Sequence, residues 1–111
     1  MNLPNSIEIG GIDVRFEWVD DLTDPDGQDC WGETSSASGS ILLDRSLRNN
    51  PKRLFSTVIH ELMHAISSEY LSFGGDLSEQ QVESMTLGFV EVYRQLGPWL
   101  EKARKAAYAT G

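Results

Sequence analysis

Apolar and polar residues change their period about halfway along this chain of 111 residues. In the first half they alternate. Ile7, Ile9, Ile12 and Val14 flank Gly10-Gly11, and Arg15 to Val19 continue the alternation. A period of two puts every second side chain on one face of a strand, and Gly-Gly suits a tight turn. This stretch therefore predicts a β-hairpin. Asp20 to Gly27, punctuated by Pro25 and Gly27, predicts an acidic loop. No Gly falls six positions into a D-x-D-x-D run, so a solvated loop is preferred there over a calcium site. Cys30 to Glu33 predicts a short strand, Thr34 to Ser40 a small polar loop, and Ile41 to Asp44 a short, strongly apolar strand.

In the second half the period becomes helical. Asn50 is a capping residue, Pro51 suits the first helical position, and the pattern runs to about Tyr70. At roughly 100° per residue, Leu54, Phe55, Val58, Ile59, Leu62, Met63, Ala65 and Ile66 fill one half of the wheel. His60, Glu61 and His64 fall on the other half, beside Ser56, Thr57, Ser67 and Ser68. Gly74-Gly75 predicts a turn, and Ser78 with Gln81 a capping box. A second helix is expected from Glu79 to Leu96, with Val82, Met85, Phe89, Val92, Tyr93 and Leu96 as its packing stripe. Gly97-Pro98 should stop it, and Trp99 to Tyr108 should form a short final helix.

Length then bounds the organisation: residues 1–111 make one domain, and the 40% hydrophobic content suffices for a modest core. The net charge of −8 argues against nucleic acid or an anionic membrane as the main partner. It fits a soluble protein, or a cleft that favours basic peptides. Cys30 is the single cysteine, so no internal disulfide forms and a reducing compartment is expected. Met1 is followed by neither a basic segment nor a long apolar run. The expectation is neither a secretion signal nor a membrane span, hence a cytoplasmic protein.

The candidate chemistry lies in His60-Glu61-Leu62-Met63-His64, an H-E-x-x-H that holds both histidines of the chain. Residues four apart on a helix stand one above the other, so two imidazoles can share one Zn²⁺ ion. Glu61 then becomes the candidate general base, acting on a zinc-bound water as nucleophile. A catalytic zinc takes three protein ligands. Candidates for the third are Glu69, Asp76, Glu79 and Glu83. Glu83 is favoured because Thr86, Leu87 and Val90 make its flank largely apolar, and a carboxylate there wants a partner; Glu79 is the alternative. Ile41 to Asp44 is either an exposed edge strand that holds a peptide or a plain core strand. Tyr70, Tyr93, Tyr108 and Arg94 are candidates for stabilising an oxyanion, and the sequence does not choose among them. Cys30 and the three tryptophans, Trp18, Trp31 and Trp99, read as packing or rim residues.

At these residues the chain resembles zincin metallopeptidases of the gluzincin kind. In that group H-E-x-x-H lies on one helix and a Glu of the following helix completes the site. More narrowly, Gly32-Glu33-Thr34, Ile41-Leu42-Leu43-Asp44, the segment His60 to Ile66, and Val82-Glu83 resemble small phage and prophage metallopeptidases, distantly ImmA/IrrE-like. The resemblance spans roughly residues 30 to 97. It implies an α+β minimal zincin-like fold, with a small, mainly antiparallel sheet packed on the H-E-x-x-H helix and a second Glu-bearing helix. It also implies one Zn²⁺ per chain held by His60, His64 and Glu83, with Glu61 as base. The expected function is zinc-dependent hydrolysis of a peptide or protein substrate, in the host cytoplasm if the chain is phage-encoded. One departure is plain: gluzincins often carry an Asp four residues after the ligand Glu, and this chain has Leu87. The alternatives are a non-proteolytic zinc-binding or peptide-interaction domain, and a metal-free interaction module.

Overall fold

The computed structural model describes residues 3–35, 38–70 and 79–109. Four strands form one sheet: β1 (Ser6–Ile9), β2 (Ile12–Val19), β3 (Gly32–Ser35) and β4 (Ser40–Asp44). A 3₁₀ turn (Arg45–Asn49) leads into α1 (Pro51–Tyr70), and α2 (Glu79–Ala107) follows. The architecture is α+β. Sheet order is β1-β2-β4-β3. The β1/β2 and β3/β4 pairs are antiparallel and the central β2/β4 pair is parallel.

The hairpin forms where the alternation predicts it. Ile9 faces Ile12 across Gly10 and Gly11, whose φ values of 59° and 81° are the left-handed ones a two-residue turn needs. The alternation also sorts the faces: Ile7, Ile9, Val14, Phe16, Ile41 and Leu43 are buried against the helices. Ile41 to Asp44 is not the edge strand that one reading allowed. β4 lies between β2 and β3, with Ile41 and Leu43 fully buried. Burying one such side chain is worth about 1.5–3 kcal/mol, so the most apolar strand belongs inside the sheet. The polar Gly-Glu-Thr-Ser of β3 takes the edge instead.

In α1, Asn50 Oδ1 accepts from the Arg53 amide at 3.3 Å, as its capping role requires. Leu54, Val58, Leu62, Ala65 and Ile66 are buried, the stripe the wheel assigns. α2 differs from expectation in two ways. It runs unbroken through Gly97-Pro98, because Leu96, Trp99 and Ala103 continue one buried stripe across the proline. Its packing face is also rotated. Met85, Val92, Leu96, Trp99 and Ala103 fall within roughly 60° of arc, whereas Phe89 and Tyr93 sit on the flank and are exposed. The Gly74-Gly75 turn and Ser78 of the capping box lie outside the described residues. Among those described, no helix is long and apolar enough to cross a membrane.

Candidate functional site

Three features of the sequence converge on the exposed side of α1. First, His60 and His64, one turn apart, bring their Nε2 atoms to 3.2 Å with the rings edge to face. Two nitrogens bound at about 2.0–2.1 Å to one tetrahedral zinc stand roughly 3.3–3.4 Å apart. The histidine pair therefore fits a shared ion as it stands. Both rings are exposed, open to a third donor and to solvent.

Second, Glu61 is buried, with only 6% of it exposed; on the wheel it borders the apolar stripe, next to Leu54 and Ala65. The covering element is β3. Its alternation turns Gly32 and Thr34 toward α1 and Glu33 away. The Thr34 hydroxyl donates to Glu61 Oε1 at 2.7 Å and also lies 3.1 Å from the Glu61 carbonyl. Glu61 Oε2 is left 3.9 Å from His60 Nε2. One carboxylate oxygen is thus anchored, and the other looks toward the histidines.

Third, Gly32 allows this approach. A Cβ at position 32 would stand 2.9 Å from both Glu61 Cγ and Thr57 Cγ2, closer than real contacts allow. An open cavity of about 350 Å³ lies alongside, lined by Trp31, Gly32, Arg53, Thr57, His60 and Glu61 among others.

The structure brings His60, Glu61 and His64 to one place. Glu83 is an exposed residue of α2, and Glu69 is exposed near the end of α1. The side chain of Glu79 and all of Asp76 lie outside the described residues. Among the described residues, no three His, Cys, Asp or Glu side chains form a group that could hold a metal ion. Of the oxyanion candidates, Tyr93 and Arg94 line a separate groove of about 530 Å³ with Met63, Met85 and Phe89. Tyr108 packs edge-on against Phe55. The side chain of Tyr70 is outside the described set.

Cys30 is half-buried and unpaired. Burial pushes its thiol up, and the nearby carboxylates of Glu33, Asp24, Glu61 and Asp44 push it further. A thiol held protonated is a poor nucleophile, which fits a packing role.

Sequence reasoning missed Thr34, Thr57 and Arg53 as parts of the site, and it gave Trp31 only a core or rim role. The available signal was Gly32 itself, since a glycine inside a strand often marks a close backbone approach. No protein-family model matches the chain, and no curated protein or solved structure matches it significantly.

Proposed function

We propose that this protein is a metal-dependent peptidase built on the His60–Glu61–His64 face of α1. The observation that carries the reading is the pairing of two convergent imidazoles, 3.2 Å apart, with a buried carboxylate that Thr34 holds by one oxygen. Two histidines with a carboxylate are a donor set suited to zinc. His60 and His64 would supply two ligands and Glu83 the third, with Glu79 as the alternative. A bound zinc ion would polarise the scissile carbonyl and make water acidic enough to attack it near neutral pH.

The chain's own residues do the rest. Glu61 Oε2 is the proton acceptor, because Oε1 is engaged by Thr34. β3 is an edge strand whose inward face already touches Glu61, so an extended peptide pairing with its free edge would run past the histidines. The same 3.2 Å contact also suits a metal-free protein in which one imidazole donates to the other.

Metal content separates the two readings. Elemental mass spectrometry should find near-stoichiometric zinc in the wild type, lost in both His64→Ala and Glu83→Ala. Glu61→Gln should keep the metal and lose peptide hydrolysis by at least about a hundredfold, the scale of a general base. A wild type that stays metal-free after reconstitution would overturn the proposal. Zinc retained in Glu83→Ala and lost in Glu79→Ala would move the third ligand by one turn.

A further inference from the structure

We infer that the cavity beside Glu61 selects peptides carrying a carboxylate side chain, bound by Arg53, about three residues from the bond that is cut; this rests on the peptidase reading above. Arg53 and His60 are seven residues apart on α1. Two turns return to nearly the same face, offset by roughly 20°, about 10 Å along the helix axis. β3 lies alongside in the same direction. Trp31, just before it, lies beneath the Arg53 guanidinium, Gly32 abuts Thr57 and Glu61, and Thr34 reaches Glu61. The cavity is therefore a trough with Arg53 at one end and the histidine–glutamate face at the other. An extended peptide advances about 3.3–3.6 Å per residue, so 10 Å corresponds to roughly three residues.

The chemistry of that end is cationic. Among the described residues, Arg53 is the one Lys or Arg side chain lining the cavity. Among the described residues it makes no ion pair. Its guanidinium carbon lies 5.4 Å from the centroid of the Trp31 ring, which is 44% exposed. A cation held over an aromatic face keeps its N–H donors available, and a planar guanidinium can grip a carboxylate with two of them.

Glu33 belongs to the opposite face of β3 and does not occupy this position. Helical side chains lean toward the N-terminus, so Arg53 leans away from His60. It is placed to hold a side chain of the substrate and is out of reach of the reacting carbonyl. The chain's net charge favours basic peptides at long range. Charges beyond about 8–10 Å are largely screened at physiological salt, so contact within the trough is set by Arg53.

The test uses zinc-loaded Glu61→Gln protein and capped ten-residue peptides labelled with fluorescein. The peptides differ only in a single Glu, Gln or Lys scanned along the sequence. Fluorescence anisotropy should show the best Glu peptide binding about tenfold tighter than its Gln counterpart, as a bidentate charged pair would give. A further Arg53→Gln change should erase that difference, and Arg53→Glu should turn it into a preference for Lys. Equal binding of Glu and Gln peptides, a preference that survives Arg53→Gln, or no binding at all would overturn the inference. Hydrolysis by wild type regardless of peptide charge would sink this inference and leave the peptidase reading standing. Glu-selective binding that depends on Arg53, with no hydrolysis by wild type, would do the reverse.

Discussion

A carboxylate taken out of water destabilises a fold unless its oxygens find donors, and Glu61 finds one in the Thr34 hydroxyl. The contact works in two directions. It compensates burial of the charge, and it fixes which oxygen remains to take a proton. Thr34→Val keeps the shape of the side chain and removes the donor. The charged acceptor is then left without its partner, a loss of about 1–3 kcal/mol. Urea unfolding should show that loss, and Thr34→Ser should recover most of it. In the Glu61→Gln background the penalty of Thr34→Val should shrink, because the acceptor is no longer charged. A penalty that is unchanged there would mean Thr34 acts by packing alone.

At the scale of elements, what the sequence made legible is local. The hairpin follows from period two around Gly10-Gly11, and α1 from Asn50-Pro51 and a clean apolar stripe. The histidines share a face because four residues make about one turn. What was not legible depends on partners far away in sequence. The apolar run at Ile41 favours an interior strand but does not say that its neighbours are β2 and β3, and nothing near Glu61 says that β3 will cover it. α2 makes the same point energetically. Pro98 removes the amide that would bond the Arg94 carbonyl, a penalty of about 3 kcal/mol in a helix interior. Burial of Leu96, Trp99 and Ala103 on either side outweighs it. Pro98→Ala should therefore raise stability by about 1–3 kcal/mol in chemical denaturation without altering the circular dichroism spectrum. Asp44 ties the end of β4 to the loop at Leu22 and to the start of the 3₁₀ turn. At the end of β4 it accepts from the Leu22 and Ser46 amides and from the Ser46 hydroxyl. These bonds, led by the Ser46 hydroxyl, hold its carboxyl below the usual range. A depressed folded-state pKa contributes stability above the ordinary value of about 4, and the contribution fades as pH falls through the folded value. Stability measured from pH 6 down to pH 2 should drop less steeply in Asp44→Asn than in wild type.

Across the whole molecule, the two ends of α2 are held differently. Val92, Leu96, Trp99 and Ala103 bury the C-terminal half in the core, and Gln95 and Glu91 bond the β1 hairpin at Glu8 and Gly10. Among the described residues between Glu83 and Val90, Met85 is packed against the core and Gly88 is buried, while Leu87, Phe89 and Val90 are exposed. Amide protection follows buried contacts, so residues 83–90 should exchange faster than residues 92–103 in the metal-free protein. The proposed third ligand sits on that weakly held half, whereas His60 and His64 sit on α1, which is anchored to the sheet. An ion shared by all three would tie the exposed half of α2 to the rigid helix. Ligand binding to the folded state alone stabilises by mass action, about 2.7 kcal/mol at a hundredfold excess over Kd. Hydrogen exchange followed by mass spectrometry should therefore show zinc slowing residues 83–90 in wild type, with little change in the already protected residues 92–103. In Glu83→Ala the slowing at 83–90 should vanish. Slowing confined to α1 in both proteins would mean that the ion is held by the histidines without α2, and that the helix carrying Glu83 does not close the site.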